Sequence, residues 1–500
     1  MKRLLELLFV LLALGACSDD DTSDNKKPTS KPSGKYTAVN AWMISEMKQN
    51  YLWNEPLADM KFDYSLDYEK FLTSMLDGVA ARKDDKGRAL NYDDGHWTDG
   101  KRDYYYSYVD GPEIKTRSAG DEVTETGLWK LQATQFSSGT IGIFIEVVTP
   151  GSSADKAGLK RGMLITKVDG QSVTEANFRS MLEKCYYGPS VRVLPNRIAW
   201  SDTGAMQLEP MAETTLTAET FTDPAVYRGE VVEAGGKRVG YLLYMGFEAD
   251  FDTDLVEAFK LFRDSNIEEL VVDLRYNGGG SVRSSTLLAT LIIGEEFRGQ
   301  TYCRMLYNAQ RTAKGETGVY RIGDSQVPDG KFVYQPIADA VGQAVNLKRI
   351  YVICSENTAS ASELLVNGLR GFDLDVRLVG MRTNGKNVGM EGYVDHKVDG
   401  EEYTFMPITF YSENAKGFRD YSDGFVPDVE FDDSKYVPGD FATEDDAYFY
   451  IVSLWIQTGQ KPVLNTENSR AGTHARAVQP LSDGIVRPKR HAQGSLVFRE

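Results

Sequence analysis

Residues 351–365 read YVICSENTASASELL. An apolar run ends at Cys354, a string of small hydroxyl and methyl side chains follows, and Glu363, Leu364 and Leu365 begin a helix-like pattern. This is a strand feeding a helix through a turn built from Thr358, Ala359, Ser360, Ala361 and Ser362. Two accounts fit those letters. A serine N-cap would satisfy the orphan N–H groups of the first helical turn. Alternatively, a nucleophile sits at a turn where backbone N–H groups also point outward.

The same alternation extends on both sides. RVGYLLYM reads as a strand, and TDLVEAFKLFRDSN as a helix with Leu255, Val256, Phe259 and Phe262 along one side. IEELVVDLRYNGGG ends a near-continuously apolar strand, the kind buried on both faces, and KRIYVIC is another. SSTLLATLII is a further helix. Residues 226–435 therefore predict an α/β core.

Two other strand ends in this core carry chemistry. Asp273-Leu274-Arg275-Tyr276-Asn277-Gly278-Gly279-Gly280 places consecutive glycines directly after a strand, where backbone can approach a ligand and present N–H groups. A phosphate loop would need a following Lys-Ser/Thr, which is absent, so oxyanion donation is the better functional reading beside a plain flexible turn. Arg382-Thr383-Asn384-Gly385-Lys386-Asn387 follows the strand VRLVG. A serine nucleophile needs a base, and no His stands at a matching strand end. Lys386 serves only if burial lowers its pKa from roughly 10.4 by several units; otherwise it is a surface lysine on a loop.

Residues 38–80 have helical spacing, with Trp42, Ile44, Met47, Tyr51 and Leu52, then Tyr68, Phe71, Leu72 and Met75. They predict a small helical domain. Residues 120–220 read as a compact β-rich module. Its PGSSADKAGLKRGMLITKVDGQSV resembles a PDZ domain of the permuted kind found in bacterial proteases. Such domains add an extended C-terminal peptide to a sheet edge. By that resemblance the carboxylate loop lies at Thr126-Gly127-Leu128. Ile141, Ile143 and Ile145 are either groove or ordinary core.

Bulk properties narrow the class. The chain has 500 residues, is 41% hydrophobic and 26% charged, and carries a net charge of −17, so nucleic acid is not an expected partner. About three domains are expected. Lys2 and Arg3 precede a short apolar stretch ending Leu14-Gly15-Ala16-Cys17, which resembles a lipoprotein signal with Cys17 as the lipidated residue. A polar tether follows, and Asp19-Asp20-Asp21 resembles the export signals of some surface lipoproteins. The expected location is the envelope of a Gram-negative bacterium, as an outer-membrane lipoprotein facing the periplasm or the exterior. Cys185, Cys303 and Cys354 make no disulfide framework, and the four histidines have no metal-ligand spacing. No Gly-x-Ser-x-Gly elbow occurs, and the Ser-x-x-Lys matches at Ser45 and Ser153 lie outside the α/β region with no following Lys-Thr-Gly.

TASASELLVNGL, DLRYNGGG, VGMRTNGKNVG and DGFVPDVEF together resemble the C-terminal processing peptidases, also called tail-specific proteases, across roughly 38–435. The resemblance implies a multidomain α/β (α+β) fold: a helical domain, a PDZ module, and a catalytic core with a mixed sheet. It implies a Ser–Lys endopeptidase with nucleophile Ser360, base Lys386, and oxyanion donors at Ala361 and at Gly279 or Gly280. No metal or organic cofactor is implied, and the partner is a polypeptide recognised through its C-terminus. The family often has a glutamine four residues after the lysine; here that position is Met390, followed by Glu391. Asn384 or Glu391 is the candidate substitute. The rival expectation is a lipid-anchored PDZ scaffold with an impaired core. Expected boundaries are 1–17 signal, 18–36 tether, 37–118 helical domain, 119–222 PDZ, 226–435 core, and 436–500 a helix and basic tail.

Overall fold

The computed structural model describes residues 34–112, 122–136, 139–201, 206–323, 340–464 and 479–480. The signal, Cys17, most of the tether and nearly all of the basic tail lie outside them. No described helix is long and apolar enough to cross a membrane.

A six-stranded mixed sheet organises the core. Its order is Val226–Ala234, Lys237–Tyr244, Glu269–Asp273, Arg349–Cys354, Asp375–Gly380 and Val429–Glu430. The first two form an antiparallel pair, and every later neighbour is parallel. Strand alternation sends Leu270, Val272, Ile350, Val352 and Leu378 to one face. There they pack on the helices Asp252–Asp264, Val282–Ile293 and Ala361–Gly371. Val271, Tyr351, Ile353 and Val379 face the other way, onto Phe449, Val452, Trp455 and Ile456 of the helix Ala447–Thr458. A helix beyond the expected 226–435 segment thus packs on the core sheet. A parallel sheet needs both faces covered, and this helix supplies the second layer. Its N-cap, Asp446, accepts from Phe449 N and also receives the buried Arg275, whose guanidinium spans Asp446 and Asp273.

The N-terminal helices Thr37–Asn50 and Tyr68–Ala80 form as their spacing predicts, the second capped by Asp67. They do not close a core of their own. Met43, Met47, Phe71 and Met75 pack with Tyr106 and Val109, and with Val388, Met390, Phe405 and Ile408 from the strands that follow the lysine loop. The expected separate helical domain is thus one half of a shared core.

Residues 122–222 form a β-rich module closed at its ends, where Glu122–Glu125 pairs with Glu219–Thr222. Its main sheet runs Met206–Pro210, Ser190–Trp200, Leu164–Val168, Ile141–Val148, Leu128–Gln135. The helix Phe178–Tyr187 packs against it through Met181, Leu182 and Cys185. Gly158 and Gly162 take positive φ, +74° and +84°, where the short helix Ser153–Lys156 turns toward the strand Leu164–Val168. The outer edge of Leu128–Gln135 carries two residues from the far C-terminal region: Gln479 pairs with Gln135 and Pro480 with Thr134.

Candidate active site

Three neighbouring parallel strands end on one rim of the core sheet, at Asp273, Cys354 and Gly380. Each feeds one of the loops singled out in the sequence. The carboxyl ends of parallel strands are where open α/β sheets build sites.

Ser360 stands at the N-cap of Ala361–Gly371, with φ +58° and ψ −114°. A non-glycine residue in that region is strained, at a cost of about 1–3 kcal/mol. Its hydroxyl caps nothing. Ser360 Oγ is buried and has no hydrogen-bond partner among the described residues. The neighbouring hydroxyls are all engaged. Thr358 Oγ1 donates to Leu274 O (2.9 Å) and accepts from Ser355 N, and Ser362 Oγ donates to Asn277 (3.0 Å). Ser360 occupies the N-cap of a capping-box turn with Glu363, yet it is the one hydroxyl of the three that makes no hydrogen bond among the described residues.

Glu363 does the capping instead, and more. Its Oε2 accepts from the Ser360 amide (3.0 Å) and from the Lys386 amide (2.8 Å). Its Oε1 accepts from Gly385 N (2.7 Å) and Thr383 Oγ1 (2.6 Å). Burial pushes the Glu363 pKa up to about 7, against these four donors. With donors filling the lone-pair directions of both oxygens, the carboxylate is the form that fits. The serine turn and the lysine loop are thereby tied to one side chain.

Lys386 is only 1% exposed, and burial lowers its pKa to about 7, opposed by the charges of Asp94 and Glu363. Its Nζ lies 5.2 Å from the ring centroid of Tyr106. Neither expected substitute for the glutamine faces the lysine as its evident partner. Glu391 is held by Arg311 and by the Tyr307 hydroxyl (3.1 Å). Asn384 Oδ1 accepts from the Tyr106 hydroxyl (2.7 Å), and its Nδ2 donates to Tyr104 Oη (3.3 Å). Met390 is fully buried in the core shared with the N-terminal helices, so the position holds packing rather than polarity.

The glycine loop lies directly against the serine turn. A Cβ on Gly279 would come within 2.8 Å of Ser360 Cβ and 2.9 Å of Ala361 N, and its φ is +113°. Of the two glycine amides expected as donors, that of Gly279 is taken by Asn277 Oδ1 (2.8 Å), because Asn277 bridges this loop to Ser362. The amides of Gly280 and Ala361 make no hydrogen bond among the described residues. Two backbone donors without a partner among the described residues thus stand on the glycine loop and the serine turn, which pack against each other at Gly279.

The loop Thr126-Gly127-Leu128 sits in the β-rich module. Thr126 Oγ1 donates to Cys185 O (3.0 Å), and Leu128 is core. A Cβ on Gly127 would fall 1.9 Å from Ser152 Oγ, which keeps the loop tight. Ile143 and Ile145 are core too, and Ile141 packs against them partly buried. Among the described residues no cluster of His, Cys, Asp or Glu is arranged to hold a metal. The sequence reading missed Glu363, Asn277, Tyr106 and Asp94 as parts of the site. Only Glu363 carried a signal, the Ser-x-x-Glu spacing of a capping box.

Ser360 is thus a strained residue at a strand-to-helix turn on an α/β sheet, beside backbone amides that have no hydrogen-bond partner among the described residues. Residues 238–431 match the model of Peptidase family S41. The chain's homologues include the carboxyl-terminal-processing peptidase 1 of Arabidopsis thaliana chloroplasts, 28% identical over 287 residues, covering 57% of this chain and 52% of that protein. A probable CtpA-like serine protease of Staphylococcus aureus (strain COL) is 24% identical over 361 residues, covering 66% and 63%. The chain spans about half the length of the first of these relatives. The crystal structure of a putative S41 protease from Bacteroides fragilis NCTC 9343 has the same fold, with a TM-score of 0.64 and 25% identity over 84% of this chain and 97% of that one.

Proposed function

We propose that this protein is a serine-type endopeptidase acting on unfolded or tail-exposed polypeptides. The observation that carries this reading is the shared anchor. Glu363 holds an uncommitted, strained Ser360 and a buried Lys386 with its pKa near 7 on one oxygen atom. In the reaction, neutral Lys386 Nζ takes the proton from Ser360 Oγ as that oxygen bonds to the scissile carbonyl carbon. The oxyanion is received by the Gly280 and Ala361 amides. The lysine then gives its proton to the departing amine, the C–N bond breaks, and the acyl-serine ester is hydrolysed by water. In this conformation Ser360 is fully buried and its Oγ makes no hydrogen bond to Lys386, so the reading includes a rearrangement that opens the site and brings the hydroxyl to the amine.

The β-rich module is the proposed reader of substrate C-termini, as a PDZ domain, with the amides around Gly127 receiving the terminal carboxylate. Lipidation at Cys17 and residence at the outer membrane complete the proposal. The test is cleavage of an unfolded protein by the chain from Lys35 onward, compared with Ser360→Ala and read by mass spectrometry. Loss of cleavage with peptide binding retained supports the reading. Equal product from both proteins sinks it, and no product from either leaves a tail-binding scaffold.

A further inference from the structure

Lys386 is walled in by a segment far from it in sequence. Residues 104–110 lead from the N-terminal region across the lysine loop, and Tyr106 among them is buried. Its ring lies 5.2 Å from Nζ, and its hydroxyl donates to Asn384 Oδ1 at 2.7 Å, two residues before the lysine. The segment is itself fixed. Asp94 accepts from the Ser107 amide (2.8 Å), the Ser107 hydroxyl (2.8 Å) and the Tyr51 hydroxyl (2.7 Å), while Ser107 Oγ accepts from Ile408 N (2.9 Å). Tyr106 is therefore held between the N-terminal helices and the strands that follow the lysine.

We infer that Tyr106 is a positioning residue for Lys386: its ring keeps water from the amine and its hydroxyl pins the loop that carries it. This role rests on the reading of Lys386 as the base. Two effects of the ring oppose each other. Its π face attracts an ammonium, whereas exclusion of water disfavours the charged form by more for a fully buried group. Exclusion wins here, because burial is the largest influence on this lysine, ahead of the two carboxylates that face it, Asp94 and Glu363.

A pair of variants of similar volume isolates the effect. Tyr106→Leu keeps an apolar wall; Tyr106→Asn brings a hydrating amide. The readout is the rate at which a fluorophosphonate labels Ser360 in the full chain, as a function of pH. Tyr106→Asn raises the apparent pKa by at least about one unit and slows labelling at pH 7 about fivefold, with recovery at alkaline pH. Tyr106→Leu leaves the apparent pKa within about half a unit of wild type. Identical profiles for the two variants overturn the inference, since a merely structural role costs both alike. Should both fail to fold, Tyr106→Phe decides: with the ring kept and the hydroxyl lost, the apparent pKa stays within about half a unit of wild type while labelling slows at every pH, and an unchanged rate or a displaced profile refutes the role. Lys386→Ala separates the two readings. If it labels like wild type, the lysine is not the base; if it is inactive while Leu and Asn behave alike, only the role of Tyr106 falls.

Discussion

The amides of Ser360 and Lys386 meet on a single atom, Oε2 of Glu363, at 3.0 and 2.8 Å. Each amide nitrogen is about 3 Å from that oxygen, so the two lie within about 6 Å of one another. Two loops from different strand ends are thus set in register by one buried carboxylate.

Glu363→Gln tests the anchor. The amide has one acceptor oxygen where four donors converge, so two donors lose their partner and face an NH2 group. The expected result is a loss of cleavage of at least about tenfold and a loss of about 1–3 kcal/mol in stability. Activity assays with thermal melts check both. A variant as active as wild type would show that the register is set elsewhere.

The pH dependence follows from Lys386. A base with its pKa near 7 is active when deprotonated, so kcat/KM rises through about pH 7 and levels off above it. Asp94→Asn removes a charge that favours the ammonium, and the rising limb moves to lower pH. A rate that is flat from mildly acidic to alkaline pH would contradict both statements.

The same lysine weakens the fold. Its pKa falls from 10.5 in the open chain to about 7 when buried, so between these values the unfolded chain binds the extra proton and stability drops as pH falls. Lys386→Met removes that cost. It should be inactive yet more stable at pH 7, by about 1–4 kcal/mol, with the gain vanishing above about pH 10.5. Denaturant melts at three pH values measure this.

Strain at the nucleophile gives a second trade of stability against activity. Glycine tolerates φ +58°, whereas alanine keeps the strain. Ser360→Gly should exceed Ser360→Ala in stability by about 1 kcal/mol or more, with neither cleaving substrate. Equal melting temperatures would mean that the turn is relaxed.

The outer edge of Leu128–Gln135 is partly covered by Gln479 and Pro480. A chain ending at Leu464 should therefore bind a hydrophobic C-terminal peptide more tightly than the full chain, by severalfold, since an added strand competes for the same backbone groups. Fluorescence anisotropy with one labelled peptide compares the two, and equal affinities would place the peptide elsewhere.

Much of this was readable in the sequence because it is local. The apolar runs at Glu269–Asp273, Arg349–Cys354 and Asp375–Gly380 declare buried strands, and the residues directly after them supply the serine, the lysine and the glycines. What stayed hidden is long-range. Nothing near Tyr106 signals that it will meet Lys386, and nothing near Gly279 says that Asn277 will claim its amide while leaving that of Gly280 free. The helix Ala447–Thr458 looks like an appendage until the bare face of the sheet is counted.

The core that joins the N-terminal helices to Val388, Met390 and Ile408 has a consequence for biosynthesis. Its two halves are separated by well over half of the chain, so the cluster closes late and the helices made first must wait for strands made much later. Until it closes, Lys386 has water around it and carries an ordinary positive charge. With Lys386 as the proposed base, a half-made chain is for that reason unarmed until this cluster closes.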